Sequence, residues 1–382
     1  MSNIPKLRFS EFSGDWEEKK LENIFKITAG GDIKPENVSL FKDHIFKYPI
    51  YANAEKNKGF YGYANIYKIE ANVITVAGRG VNLGIAHARK HKFYPIVRLL
   101  VLNPKIESNI DFFEYQINNL NMLIESTGVP QLTAPQISKY KVCFPSKQEQ
   151  EKIASFLTAV DKKIEQLTKK ESLLQEYKKG VMQKIFNKEI RFKADDGREF
   201  CDWEEKKLGK YLVEYKEKSI LENEYPVLTS SNKGLMLQSD YFGENRLTER
   251  HNQGFNIVPN NYITYRSRSD NRTFTFNLNS LGYKGIISTY YPVFKCIDGD
   301  NRFIVTLLNI NKHYIGKYSV GTSQTVLSFN ELKNIKIFIP SSEEQTKIAN
   351  FLSSIDDKIE QIQKQLEQTK EFKKALLQTM FV

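Results

Sequence analysis

Over residues 1–145 the apolar positions fall in short runs separated by glycine, asparagine and charged residues. N-V-I-T-V-A (residues 72–77) and Y-P-I-V-R-L-L-V-L (residues 94–102) predict strands between tight turns. A helix is predicted over residues 111–124, where Phe112, Tyr115, Ile117, Leu120 and Ile124 keep helical spacing. From residue 146 the period changes. Ile153, Leu157, Val160, Ile164, Leu167, Leu174, Val181 and Ile185 follow in steps of three and four, with gaps near Glu171 and Lys178. That spacing predicts a coiled-coil seam. Pro145 opens the segment, and Ser146 with Glu149 forms a capping-box pattern. A helix of ~40 residues is ~60 Å long, too long to bury its own stripe, so it needs a partner.

The partner is written into the same chain. Ile348, Leu352, Ile355, Ile359, Ile362, Leu366, Phe372, Leu376 and Met380 form a second stripe, and Ser341 with Glu344 repeats the capping pattern. The repeat extends beyond the helices. D-W-E-E-K-K-L occurs at residues 15–21 and again at 202–208. P-S-K-Q-E-Q-E-K-I-A-S-F-L-T-A-V-D-K-K-I-E-Q (residues 145–166) is echoed at residues 340–361. Between these borders the two middles share little beyond a few anchors. Y-P-V-L (225–228) matches Y-P-I-Y (48–51), N-Y-I-T-Y-R (261–266) matches N-V-I-T-V-A, and G-T-S-Q-T-V-L (321–327) matches G-V-P-Q-L-T-A (128–134). A repeat with fixed borders and variable contents implies one frame holding two different heads.

The expected domains are residues 1–145 and 202–340, with long helices at 146–190 and 341–382 and a linker at 191–201. The fold class is α+β: two α/β domains separated by a pair of long coiled-coil helices in a pseudo-two-fold internal repeat. An antiparallel pair is favoured over a parallel one, because the first helix leads away from its own domain towards the second.

Charge narrows the partners. The formal net charge is +11, and the pI is near 9.2. Both favour a polyanion such as nucleic acid. Three cysteines with no C-x-x-C pair argue against a disulfide frame or zinc finger. No apolar run approaches the ~18 residues of a membrane helix, and no signal-peptide pattern opens the chain, so a cytoplasmic location is expected.

No catalytic motif is present: there is no phosphate loop, no H-E-x-x-H and no G-x-S-x-G. His87 and His91 are four apart, but with no carboxylate in sight they predict no metal site. The Gly78-Arg79-Gly80 turn is one residue too long for a dinucleotide fingerprint. Basic residues next to aromatics are the DNA-contact candidates: Lys56, Lys58, Arg79, Arg89, Lys90 and Lys92 in the first half, and Arg246, Arg250, Arg266, Arg268 and Arg272 in the second. Arginine can hold guanine bidentately or grip phosphate. Gln131, Thr133, Gln324 and Thr325 fit a turn better than base reading, and Trp16 and Trp203 fit core anchors.

The W-E-x-x-x-L entries, the G-x-x-Q turns and the doubled P-S-x-x-E-Q-x-K-I-A-x-F-L-x-x-x-D-x-K-I-E-Q helix starts resemble the specificity subunit of a Type I restriction–modification enzyme over essentially the whole chain. The resemblance implies two target recognition domains, each binding one half of an asymmetric split site in double-stranded DNA, with the helices setting the gap. Ile153, Leu157, Val160, Ile164, Leu167, Ile348, Leu352, Ile355, Ile359 and Ile362 would form the coiled coil and the partner-docking region. Two methyltransferase subunits and the restriction subunits would be partners. The chain would bind no cofactor itself, while the complex would use S-adenosylmethionine, ATP and Mg. Rival expectations are a coiled-coil adaptor joining two proteins, tested by salt-sensitive DNA binding, and an enzyme with an unrecognised site.

Overall fold

The computed structural model describes residues 3–54, 56–80, 82–120, 122, 131–243, 251–322 and 324–382. The chain forms two compact units, one made of Met1–Glu171 with Ile362–Val382, the other of Ser172–Gln361.

In the first unit the two borders of the sequence repeat pair with each other. The W-E-E-K-K motif is the strand Glu17–Lys20, and it runs antiparallel to Lys141–Phe144, with Glu17 opposite Phe144. Leu21 follows, fully buried, its N–H bonded to the Tyr140 carbonyl (2.9 Å). A four-stranded antiparallel sheet orders Phe25–Ala29, Leu100–Pro104, Val73–Val76 and Ala86–Arg89. Val73–Val76 is buried at every position because both faces of this strand are covered. Ile74 and Val76 face the core built around Phe112, Phe113 and Ile117 of the helix Ile110–Asn118. Val73 joins Tyr51, Phe93 and Val101 on the other side. A second sheet holds Tyr48–Tyr51 between Phe60–Ala64 and Tyr94–Pro95.

The predicted helix over residues 111–124 is shorter. It starts after Asn109, whose side chain accepts the Phe112 N–H, and stops at Asn118. The Asn118 amide turns aside to bond both backbone groups of Ala86. Ile124 lies outside the described residues.

The second unit repeats this plan. Glu204–Lys207 pairs with Lys336–Ile339 in the same register, Glu204 opposite Ile339, and Leu208 N–H bonds the Ile335 carbonyl (2.9 Å). Its four-stranded sheet orders Leu212–Tyr215, Val293–Cys296, Ile263–Tyr265 and Phe276–Leu278, covered by Phe303, Ile304, Leu307 and Leu308 of the helix Asn301–Ile310. The N-x-I-T anchor acquires a backbone reason. Asn72 and Asn261 both sit at positive φ (56° and 66°) at the entry to the central strand, a conformation asparagine tolerates better than most residues.

The long helices are Lys147–Phe186 and Ser342–Thr379. Within the first unit Asp161 pairs with Lys373 and Glu171 with Gln363; within the second, Lys178 pairs with Asp356. Further along in the second unit, Ile185 packs in one core with Ile348 and Leu352; rising numbers on one helix meet falling numbers on the other, so each pairing is antiparallel. The seam residues Ile153, Leu157, Val160, Leu167, Ile348, Leu352, Ile355 and Ile362 are buried, with Ile164 and Ile359 half-buried. Phe372 departs from the predicted stripe and is 51% exposed. Steps of three and four from Leu366 reach Thr369, Lys373, Leu376 and Met380, and Lys373 takes the seam position beside Asp161.

The capping pattern is only half a capping box. The Ser341 and Ser146 hydroxyls face the Glu344 and Glu149 N–H groups at 3.3 and 3.5 Å. The glutamate side chains do not turn back. Glu149 is taken by Arg8 (2.7 and 2.8 Å), and Glu344 by Arg191 (2.9 and 3.2 Å). The glutamine that follows locks each helix to its unit. Gln150 donates to the Pro145 carbonyl and accepts from Asn109 N–H, and Gln345 does the same with Pro340 and Asp300.

Candidate nucleic-acid interface

In the first unit the candidates separate into an exposed set and a buried one. Arg89 is 4% exposed. Its guanidinium lies 3.6 Å from the Tyr51 ring centroid and donates to Thr75 Oγ1 (2.9 Å) and the Lys58 carbonyl (2.5 Å). Burial lowers its pKa, while Tyr51 and Glu114 raise it. The expectation that Arg89 meets DNA is therefore corrected: the side chain is buried, and its bond to the Lys58 carbonyl pins the 56–59 turn. That turn needs pinning, because Asn57 and Lys58 both sit at positive φ. Lys58 is exposed on it, and the Lys56 side chain lies outside those described.

Asn53 binds the turn to the next loop, accepting the Gly78 N–H (2.8 Å) and donating to the Val97 carbonyl (2.5 Å). Arg79 follows Gly78, half-buried, with its Nη2 on Gln131 Oε1 (3.3 Å). Thus Lys58 and Arg79 are brought to neighbouring loops. Lys90 and Lys92 are exposed but paired, with Asp111 (2.6 Å) and Glu70 (2.9 Å). Lys92 also lies over Tyr67 and, with Lys42, Lys47, Tyr48 and Tyr63, edges a hollow of about 520 Å³ floored by Tyr51. Lys42 and Lys47 were missed; the F-K-D-H-I-F-K run at residues 41–47 carried the signal, basic residues interleaved with aromatics. His91 touches the Tyr51 hydroxyl (2.9 Å), and burial lowers its pKa. A carboxylate does stand near the histidine pair: Glu114 is 3.3 Å from His87. Among the described residues no three His, Cys, Asp or Glu side chains cluster as metal ligands.

In the second unit Arg246 and Arg250 lie outside the described residues. The other three arginines share a neighbourhood. Tyr265 is buried at the end of the strand Ile263–Tyr265, and just beyond it Arg266 and Arg268 are both exposed. Two adjoining clefts, of about 510 and 490 Å³, share Thr229, Phe242, Arg266, Arg268 and Tyr291 as lining. The Arg268 guanidinium lies 4.1 Å from the Tyr290 ring centroid. Arg272, at positive φ, reaches the Gly321 carbonyl (3.4 Å). Sequence reasoning missed Tyr290 and the hairpin Leu228–Ser231 with Gly234–Leu237. The hairpin carried one charge, Lys233, and only the end of the Y-P-V-L anchor, with no basic–aromatic cluster to mark it.

The arginine loop of each unit pairs with the segment before a short helix, Ala134–Ile137 in the first and Phe329–Asn334 in the second. Leu132 N–H bonds the Gly78 carbonyl, and Leu327 N–H bonds the Ser267 carbonyl (both 2.9 Å). Thr133 with Gln136 and Ser328 with Glu331 then form capping boxes. The structural counterpart of Gln131 is accordingly Val326, not Gln324. Gln324 lies two residues earlier, against Asp270 (3.4 Å).

The family model described as the type I restriction modification DNA specificity domain matches residues 13–175 and again 201–371. The chain belongs to this type I restriction–modification DNA specificity family. A provisionally named type I specificity subunit of Mycoplasma pneumoniae is 35% identical over 138 residues, 36% of this chain and 38% of that one. The chain therefore matches well under half the length of this relative. A provisionally named type I restriction enzyme specificity subunit of Methanocaldococcus jannaschii is 25% identical across 98% of this chain and 95% of its own. The crystal structure of a type I restriction–modification S subunit from M. genitalium shares the fold at TM-score 0.64 and 16% identity, covering 99% of both chains. The doubled specificity domain accounts for the doubled borders, and its variable contents are the two cleft regions just described. Of the ten seam residues expected to form the coiled coil, eight are buried and two half-buried.

Proposed function

We propose that this specificity-family chain directs a methyltransferase to an asymmetric two-part DNA site, each unit reading one half. The supporting observation is that one chain holds two copies of the same domain with matching Arg–Glu clamps and strand borders but differently lined clefts. Two different heads on one frame suit a non-palindromic site, unlike the symmetric site of a homodimer. The exposed Lys58 and half-buried Arg79 in one unit and the exposed Arg266, Arg268 and Arg272 in the other supply positive charge for contact with DNA.

The helix pair sets the gap between half-sites, and its outward faces, with Leu173, Tyr177 and Phe372 exposed, receive two methyltransferase subunits. The chain itself catalyses nothing. The partners bind S-adenosylmethionine and methylate an adenine drawn out of the duplex; restriction subunits add ATP- and Mg-dependent cleavage in the cytoplasm. No described helix is long and apolar enough to cross a membrane.

The test is genome-wide methylation mapping after co-expression with the neighbouring methyltransferase in a host lacking adenine methylation. A two-part motif with a fixed gap, present only with this chain, is expected, and exchange of residues 202–340 should change one half alone. A soluble complex that leaves methylation unchanged would refute the reading and favour an adaptor role.

A further inference from the structure

We infer that Arg268 reads a guanine in the half-site bound by the second unit, presented for that purpose by Tyr290, whereas Arg266 grips phosphate. The inference rests on the DNA-reading function proposed above and deepens it to one residue and one base.

Three observations carry it. First, the Arg268 backbone is fixed. It pairs with Val326 in a short antiparallel ladder, and the preceding Ser267 carbonyl accepts the Leu327 N–H (2.9 Å). Second, its guanidinium lies over a ring whose backbone is tethered to the preceding residue. Ser267 donates both N–H (3.1 Å) and Oγ (2.7 Å) to the Tyr290 carbonyl, and the Tyr290 ring lies 4.1 Å from the Arg268 guanidinium carbon. The ring screens one side of the guanidinium from water and consumes none of its N–H donors. Third, no described residue forms a hydrogen bond or ion pair with those donors, although Arg268 lines both adjoining clefts.

A planar fork held in one orientation matches the O6 and N7 acceptors of guanine, the commonest specific arginine contact in the major groove. Holding the fork beforehand lowers the ordering cost of binding. A phosphate needs no such aim, since a mobile cation serves it. Arg266 lines the same clefts without any ring stacked on it among the described residues, which fits a backbone contact. The other described charge of the larger cleft, Asp270, accepts from Gln324 (3.4 Å) and forms no ion pair with either arginine.

The test maps methylation by the complete complex carrying Arg268→Lys, Arg268→Ala, Tyr290→Phe or Arg266→Ala, beside the unaltered complex. The unaltered complex should leave a motif whose second-unit half, assigned by the 202–340 exchange, contains guanine. Both Arg268 variants should relax one guanine position, with preference there falling about ten- to hundred-fold. Tyr290→Phe keeps the ring and should keep the motif. Arg266→Ala should keep the motif and lower occupancy at all sites alike. Arg268→Lys preserves charge and length, so it carries the test if the alanine variant fails to accumulate. A half-site without guanine, or Arg268 variants that lose occupancy while keeping every base, would overturn the inference alone. An unaltered complex that leaves no two-part motif would overturn the DNA-reading function and this inference with it.

Discussion

Arg8 and Glu149 form a two-pronged ion pair, 2.7 and 2.8 Å, across 141 residues of chain, and the Glu149 side chain is only 2% exposed. The contact raises the pKa of Arg8, chiefly through its hydrogen bond to Glu149. Arg191 and Glu344 repeat the arrangement in the second unit. The pair ties the segment before each W-E-E-K-K strand to the first turn of the long helix that follows its domain. Arg8→Ala should destabilise the first unit by about 3 kcal/mol, because it strands a buried carboxylate. Adding Glu149→Gln should recover part of the loss, because a neutral amide costs less to bury. Denaturant unfolding of the single and double variants checks this. Equal stability of Arg8→Ala and the unaltered chain would show the clamp to be incidental.

Arg89 should behave as a structural residue. Truncation to alanine removes the stack on Tyr51 and leaves Thr75 Oγ1 and the Lys58 carbonyl short of a donor. A loss of about 3 kcal/mol is expected. The methylation motif of whatever complex survives should be unchanged. Arg79→Ala should do the reverse, leaving the unfolding midpoint alone and weakening DNA binding. A relaxed motif with undiminished stability in Arg89→Ala would reverse the assignment.

These two arginines mark what could be read in the sequence and what could not. The borders were legible because repetition exposed them: D-W-E-E-K-K-L and P-S-x-x-E-Q occur twice, and each lies where strand pairing or a helix start demands it. The Arg8–Glu149 clamp was equally repeated, as L-R-F and I-R-F at residues 7–9 and 190–192, yet a three-letter echo is too short to stand out. Inside the heads two anchors survived: N-x-I-T, held by the left-handed asparagine and the buried Ile74 and Ile263, and the Y-P pair, whose Ile50 and Val227 each pair in parallel, with Tyr94 and Ile286. Arg89 and Arg268 look alike as letters. Burial beneath Tyr51 separates one from exposure beside Tyr290 for the other, and burial is set by contacts distant in sequence. The two-residue shift between Gln131 and Gln324 had the same origin, since backbone pairing, not letter matching, defines the equivalence.

The three cysteines give a direct check on burial. Cys201 is exposed, and Cys143 and Cys296 are buried. Burial raises the Cys143 thiol and pushes Cys296 up to about 11. Brief alkylation of the native chain at pH 8, read by mass spectrometry, should modify Cys201 alone; denatured chain should be modified at all three. The sign for stability follows. An unfolded Cys296 ionises near its ordinary pKa of 9 while the folded thiol stays protonated, so its contribution is intact below pH 9 and is lost as pH rises through 11. Rapid modification of Cys296 in the native chain would contradict the packing of the inner strand Val293–Cys296 on which it sits.

Gly316 should prove sensitive for a reason that lies in the loop beside the second unit's clefts. The residue is buried in the short helix Lys312–Gly316, and a Cβ there would collide with the Arg272 carbonyl oxygen. That oxygen belongs to backbone, so relief requires the 269–273 loop to move. Arg272 already sits at positive φ (55°), where a bulky residue has little room to adjust. Gly316→Ala should therefore cost about 1–3 kcal/mol, as other over-packed interiors do. It should also disturb the loop that carries Ser269 and Asn271, both lining the larger cleft. The expected signature is lower thermal stability together with weaker or altered selection in the second half of the methylated site, the first half remaining as it was. Changes confined to the first half, or none in either assay, would mean that the loop does not depend on the close approach of Gly316.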